Sequence, residues 1–372
     1  MRGTWTANIA RAIKVLTTRT LEIEDGGLSY HFQGLPWRKI SNLLRVESSM
    51  LLRTEKSWGR PTYLQMEASA VCNLRCALCP VTDGLQRPQG LMQFDLFKKV
   101  IDEIGEYVFI LMLWDWGEPL LNPQIGPMIA YAQQRGIAVV CSTNGIPLAE
   151  EKPAADVVRS GLNTLIVSVD GIHQETYQHY RRGGSLEEVV KGIRTIVATR
   201  QQLSANNPRV ILQFIVMKHN EHEIPEVKEM ARTLGVDACT VRTLNPFKQL
   251  RSDAEEAPAA FSTTLPRYQR SRGNGGKTPP AQLRRSACPQ LWNNSNVHWN
   301  GAVCSCCYDF AEQQPLGNLQ NESFKEIWSG MPYRRLRRQL LRNPEELSNC
   351  RDCFYTWGDT AFDPIVETFL FK

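Results

Sequence analysis

The sequence predicts an α/β protein, a partial (β/α)6 barrel followed by a small C-terminal α+β module rich in cysteine. Three observations carry this expectation. Short apolar runs alternate with amphipathic helical segments from Thr62 to about Thr243. Gly136, Gly161 and Gly235 each follow a helical segment and precede an apolar run, the position of a left-handed helix C-cap. Polar or glycine-rich segments follow successive apolar runs, where the loops at the C-terminal edge of a parallel sheet fall.

Residues 1–60 mix basic and apolar residues with little periodicity and are expected to form an N-terminal cap or a partner-binding segment. Within residues 61–246 the expected strands are Thr62–Glu67, Val108–Trp114, Ile137–Cys141, Leu165–Val169, Val210–Val216 and Asp237–Val241. Leu96, Phe97, Val100, Ile101 and Ile104 recur at 3.6-residue spacing and predict one buried helix face; Val227, Met230, Ala231 and Leu234 predict another. Strand, helix and strand in repetition imply a parallel sheet covered by helices. About six strands fall short of a closed eight-stranded barrel, so an open or partial barrel fits best. Periodicity alone leaves a doubly wound sheet as the alternative. Residues 247–286, rich in Pro, Gly, Ser and Ala, read as a linker or active-site loop, and residues 287–372 as the cysteine-rich module.

Composition excludes several classes. The chain has 43 Lys and Arg against 38 Asp and Glu, a formal charge of +5, too small to imply nucleic acid. No apolar stretch approaches the roughly 20 residues of a membrane helix, and the opening MRGTWTANIARAIKV lacks a secretory signal. The expectation is a cytoplasmic protein without a membrane or nucleic-acid partner.

Most of the 11 cysteines fall in two groups. Cys141 and Cys239 stand alone in apolar segments and read as buried small residues. Cys72, Cys76 and Cys79 lie in CNLRCALCP with the spacing C-x3-C-x2-C, directly after the first strand. Three thiolates on one loop hold three corners of an iron–sulfur cubane and leave the fourth iron open to an external ligand. Structural zinc, the competing reading, normally requires C-x2-C pairs and four protein ligands.

CNLRCALC resembles the signature of the radical S-adenosylmethionine superfamily. The resemblance implies that S-adenosylmethionine chelates the open iron, and that one electron cleaves it to methionine and a 5′-deoxyadenosyl radical. WGEPLL, with Gly117, Glu118 and Pro119, is similar to the family segment that meets the cofactor's amino group, with Trp116 where the family has a glycine. STNG and SVDG are similar to segments lining the cofactor pocket, which implicates Ser142, Asn144, Ser168 and Asp170. Arg181 in YRRGG matches a position offered to the cofactor's carboxylate, and Val216 and Met217 an apolar position near adenine.

The C-terminal segment CPQLWNNSNVHWNGAVCSCCYD, followed by CRDC, resembles the auxiliary-cluster modules of the same superfamily. The resemblance implies a second [4Fe-4S] cluster on Cys288, Cys306, Cys350 and Cys353. The absence of a cysteine after Cys353 favours the shorter twitch form over the fuller SPASM form. Cys304 and Cys307 stay open as alternative ligands or as catalytic hydrogen donors, and a four-cysteine zinc site is the alternative for the module. Asp115 either orients substrate or holds its turn. HNEH at His219–His222 lacks metal-binding spacing, and RRLRRQLLR at Arg334–Arg342 reads as a partner surface or a solvated helix face.

The function these features imply is hydrogen abstraction from a sugar, aminocyclitol or related small substrate, followed by dehydrogenation or epimerisation. Radical modification of a peptide is the alternative. Flavodoxin or ferredoxin is the expected electron donor.

Overall fold

Side-chain alternation along parallel strands divides this protein into a helix-covered face and a second face of graded polarity. The structure is a computed structural model describing residues 5–25, 28–244, 257–269, 288–351, 353 and 365–371. The N-terminal segment forms α1 (Trp5–Thr18), a hairpin of β1 (Leu21–Asp25) and β2 (Leu28–Phe32), and α2 (Trp37–Leu51). The expected strands follow as β3 (Tyr63–Met66), β4 (Ile110–Met112), β5 (Ala138–Thr143), β6 (Thr164–Ser168), β7 (Arg209–Val216) and β8 (Ala238–Thr243). They pair in parallel in chain order. Between them lie α3 (Phe94–Ile104), α4 (Ile125–Gln133), α5 (Glu151–Arg159), α6 (Gln174–Tyr180), α7 (Leu186–Gln202) and α8 (Ile224–Thr233). The largest boundary difference is at β4, expected from Val108 to Trp114. A 3-10 turn over Gly105–Tyr107 delays its start, and the chain leaves the sheet after Met112.

Alternate strand residues point to opposite faces. Leu64, Leu111, Val139, Leu165, Leu212 and Val241 pack with the buried faces of α3 to α8, Phe97, Val100, Ile104 and Val227 among them. Gly136, Gly161 and Gly235 have φ of 68°, 79° and 70°, as helix C-caps require.

On the other face, the N-terminal ends of the strands present Ile110, Ala138, Ile211 and Ala238. These pack against Leu21, Ile23, Leu28 and Ile40 of the N-terminal segment. Tyr30 Oη and Thr164 Oγ1 complete the contact at 3.0 Å. Further along the same strands this face carries Gln65, Ser142, Ser168, Gln213 and Arg242. One end of the face is thus plugged with apolar residues, and the C-terminal end is polar.

Of residues 247–286, only α9 (Ala257–Phe261) and the turn up to residue 269 are described; the rest of that expected loop lies outside the described residues. The cysteine-rich module contributes α10 (Gln290–Asn293), β9 (Asn296–Val297), β10 (Ala302–Cys304), β11 (Gly317–Asn318), α11 (Phe324–Ser329), α12 (Met331–Arg342) and α13 (Ser348–Arg351). β9 adds in parallel to β3, extending the sheet. β12 (Ile365–Leu370) returns to the opposite edge, antiparallel to β8. Among the described residues the sheet therefore has ten strands, ordered β11-β10-β9-β3-β4-β5-β6-β7-β8-β12.

The basic stretch at Arg334–Arg342 is part of α12, and neither sequence reading accounts for Arg337. That side chain is fully buried, donates to Leu291 O at 2.8 Å, and lies 4.6 Å from the Trp328 ring and 4.8 Å from the Tyr333 ring. Arg338 pairs with Glu55 at 2.7 Å. Arg337 Nη1 also donates to Glu55 O at 3.3 Å, so the two arginines fasten the module to the segment before β3.

Candidate iron–sulfur and cofactor site

Parallel strands in register bring every segment that follows β3 to β7 to one edge of the sheet. The loop after β3 carries Cys72, Cys76 and Cys79, and hydrogen bonds tie it to each neighbouring segment. Glu118 N donates to Val71 O at 2.8 Å, Asn144 Nδ2 to Asn73 Oδ1 at 2.7 Å, and Ala77 N to Tyr180 O at 2.9 Å. A single loop anchored on three sides holds its thiols in fixed relation.

The three thiols lie close enough to perturb one another. Burial pushes Cys72 up to about 11 and Cys79 up to about 12, and burial also raises Cys76. A thiolate here therefore needs a cation beside it, which iron supplies. Donors already face the sulfurs: Leu74 N at 3.4 Å from Cys72 Sγ and Arg181 Nη1 at 3.9 Å from Cys76 Sγ. Donor chemistry, mutual proximity and N–H groups on sulfur fit an iron–sulfur cluster.

Glu118 is fully buried and accepts from Leu120 N, Thr143 Oγ1 and Asn144 N at 3.0, 2.7 and 2.7 Å. Burial outweighs these donors and raises its carboxyl to about 6. It joins the GEP turn to the TNG turn. Gly117 has φ of +99°, and a Cβ there would lie 2.3 Å from Ser69 O. The close backbone approach at Gly117 is thus made to Ser69–Val71, directly before the cysteines. Pro119 opens the 3-10 turn Pro119–Leu121 and is buried. Trp116 meets Phe310 edge-on at 5.8 Å and donates from Nε1 to Cys307 O at 2.9 Å, linking this turn to the C-terminal module.

Asp170 holds Arg181 through Nε at 2.6 Å and Nη2 at 2.5 Å, and accepts from Ile215 N at 2.8 Å. The Arg181 fork is therefore engaged by Asp170, with Nη1 turned toward Cys76. Burial works against the Arg181 charge, but Asp170 and Cys76 hold it well above the ordinary arginine range. Ser142 and Ser168 lie on the sheet's second face, and Ser168 Oγ accepts from Gln213 Nε2 at 3.5 Å. Met217 packs with Leu74, Cys76 and Tyr180 beside the cysteine loop. Val216 does not join them. Strand alternation points it into the helix-covered core, and Ile215 is the residue turned toward the loop. His219 meets His179 at 4.6 Å with the rings tilted by 48°, and Phe261 lies against both.

In the module, Cys306 interacts with Cys288, Cys307, Cys350 and Cys353, and burial raises Cys288 and Cys306 well above the usual thiol range. Cys307 faces Asp115 and Cys353. Cys304 is separate: its thiol is buried 3.7 Å from His298 Nδ1, and its charge contacts are His298, Asp309 and Glu312. As a residue of β10 it points away from the five gathered thiols, so its expected ligand or donor role does not fit this geometry.

Between the two cysteine groups lies a buried polar network that sequence reasoning missed. Asp115 accepts from Gln65 Nε2 at 3.2 Å and Asn296 Nδ2 at 2.7 Å, and lies 3.6 Å from His298 Nε2. His298 Nδ1 meets Glu312 at 2.9 Å, while Arg87 reaches Glu67 at 2.6 Å and Glu312 at 3.5 Å. Burial raises the Glu67 carboxyl, against the pull of His298 and Arg87. A signal was present in YLQME, where two polar residues alternate along an apolar strand.

Comparison with known proteins follows the same division. The family model of the radical SAM superfamily matches residues 66–231, and the iron–sulfur cluster-binding SPASM domain matches residues 288–354. The tungsten-containing aldehyde ferredoxin oxidoreductase cofactor-modifying protein of Pyrococcus furiosus is 25% identical over 316 residues, covering 78% of this chain and 86% of the relative. An AdoMet-dependent heme synthase of Methanosarcina barkeri is 27% identical over 328 residues, covering 79% and 89%. The fold is similar to that of Streptococcus suis SuiB bound to precursor peptide SuiA, with a TM-score of 0.58 at 12% identity over 88% of this chain and 77% of that one.

Proposed function

The chain belongs to the radical S-adenosylmethionine superfamily and carries its SPASM-type iron–sulfur module, and on that premise we propose that it dehydrogenates or epimerises a sugar, aminocyclitol or related small substrate at an unactivated C–H bond. The observation that carries this reading is the second set of thiols, Cys288, Cys306, Cys307, Cys350 and Cys353, with Cys307 facing Asp115 in the turn after β4. We read the six parallel strands as a partial barrel whose polar end receives the substrate.

Bound [4Fe-4S] clusters on Cys72, Cys76 and Cys79 and on Cys288, Cys306, Cys350 and Cys353, with S-adenosylmethionine on the first, would supply the 5′-deoxyadenosyl radical and an electron acceptor. The chain's own residues do the positioning. Glu118 locks the turns after β4 and β5, while Asp170 and Arg181 lock the turn after β6 against Cys76. Trp116 and Phe310 close the seam between sheet and module, which helps keep water from the reacting carbon. Net dehydrogenation removes a hydrogen atom, then an electron and a proton; Asp115, held by Gln65 and Asn296, is the proposed proton acceptor. Cys307 beside it is the proposed hydrogen donor if the outcome is epimerisation. Flavodoxin or ferredoxin is the proposed electron donor, in a cytoplasmic setting.

Radical modification of a peptide is the second reading, favoured by the precursor peptide bound to SuiB. An anaerobic assay with specifically deuterated candidates decides between them. Deuterium in 5′-deoxyadenosine from a sugar or aminocyclitol supports the first reading; transfer only from a peptide replaces it. No 5′-deoxyadenosine from fully reconstituted protein would overturn both.

A further inference from the structure

α2 buries one apolar face and carries an adjoining apolar stripe whose two ends are exposed. Ile40 and Leu43 pack with the apolar end of the sheet, and Val46 is buried beside Gly59. At 100° per residue, Trp37, Leu44, Leu51 and Leu52 fall within an arc of about 100° beside the buried face, with Leu44 half-buried at the boundary. Trp37 is 57% exposed and Leu51 64% exposed. The helix has 15 residues, so this stripe runs for about 22 Å. It borders a groove of about 360 Å³ flanked by Leu16 of α1 and by Trp58. The Trp58 loop is fixed in place, its backbone N–H donating to Ser49 Oγ at 2.8 Å and Arg60 N to Asn42 Oδ1 at 2.7 Å. The exposed indole is thus part of a built surface. An exposed apolar stripe of this length marks an interaction surface.

Charge narrows the occupant. Residues 1–60 hold 10 Lys and Arg against 5 Asp and Glu, which accounts for the whole formal charge of +5; the remaining chain is balanced at 33 against 33. Arg45 lines the groove, and Arg19 lies over the Trp37 ring at 5.9 Å. Like charges on both partners disfavour a second copy of this chain. A redox donor is disfavoured by position, because the segment packs on the N-terminal ends of the strands and the cysteine loop lies at their C-terminal ends. Exposed indoles, scattered aliphatic tips from three elements and a basic rim suit a surface that needs no shape complementarity.

We propose that the outer face of α2, with Leu16 and Trp58, docks the enzyme on an anionic lipid bilayer as a peripheral protein. The sequence-based expectation of no membrane partner rested on the absence of a spanning segment and on reading the N-terminal helix as solvated or core-covering; this mode requires no spanning segment. Docking here leaves the polar end of the sheet facing away from the lipid and open to substrate.

The test is flotation of the full-length, iron-loaded chain with vesicles of phosphatidylcholine alone or with about one quarter phosphatidylglycerol. The expected result is flotation only with the anionic vesicles and a blue shift of tryptophan emission. Trp37→Ser/Leu51→Ser is expected to reduce the bound fraction at least about tenfold. Its melting temperature and its cleavage of S-adenosylmethionine should be unchanged. Trp58→Ser, outside the helix, gives a second reading of the same face should the double variant misfold. Equal flotation of wild type and variants would overturn the proposal, as charge attraction elsewhere would then suffice. So would a wild-type dimer that the variants convert to monomer. Failure of the wild type to float would overturn it too, and would leave an acidic protein as the occupant.

Discussion

Glu118 gives the site a pH dependence that can be measured apart from catalysis. Its carboxyl rises from 4.5 to about 6 on burial, so the folded chain holds that proton more tightly than the unfolded chain. The associated stability, about 2 kcal/mol, is present in full below about pH 4.5 and is lost as pH rises through about 6. Chemical denaturation of the metal-free chain across that window should show the decline, and Glu118→Gln should flatten it. An unchanged slope in the variant would assign the titration to another group. If the proposed two clusters are present, Cys72→Ala is expected to abolish 5′-deoxyadenosine formation and remove about half the iron. Cys306→Ser should remove the other half. Cys304→Ser should leave iron content and the electron paramagnetic resonance spectrum unchanged, because its thiol meets His298 instead of the cysteine group.

At the scale of elements, the turn after β4 is constrained by backbone packing. Gly117→Ala combines a positive φ with a Cβ 2.3 Å from a backbone oxygen, and should cost about 3 kcal/mol or more. Gly84→Ala, also at positive φ but with nothing within 4 Å, should cost only about 1 kcal/mol. Similar losses in the two variants would show that packing against Ser69 contributes nothing. Across the seam between β3 and the module, Arg87→Ala removes the guanidinium that pairs with buried Glu67 and leaves His298 as its remaining cationic neighbour. A loss of about 3–5 kcal/mol is expected, and Arg87→Met/Glu67→Leu should recover most of it. Thermal denaturation of the two variants decides whether the pair serves stability or only alignment.

For the whole molecule, the two ends of the sheet's second face have separate duties. The N-terminal segment fills the apolar end, and the loops that carry cysteine surround the polar end. Deleting residues 1–60 should therefore expose Ile110, Ala138, Val140 and Ile211 together and produce a chain that binds hydrophobic dye and aggregates. A truncated chain that stays monodisperse with a normal melting transition would mean that the sheet closes without its plug.

The sequence by itself determined the order of strands and helices, because periodicity and glycine stops are local and β3 to β8 pair with their neighbours in the chain. It also marked the two cysteine groups, whose chemistry is carried by spacing within a few residues. Tertiary structure alone decided what depends on contacts between distant segments. The hairpin before α2 fills the face of strands that begin more than 70 residues later, and β12 adds to β8 across a long excursion through the module. Cys304 and Cys306 are two residues apart, yet one side chain meets His298 and the other joins four thiols. The pairing of Asp115 with His298 likewise spans two modules, so no local pattern announces it. Side-chain direction on a short strand is set by the neighbours it packs against, and those neighbours exist only once the chain has folded.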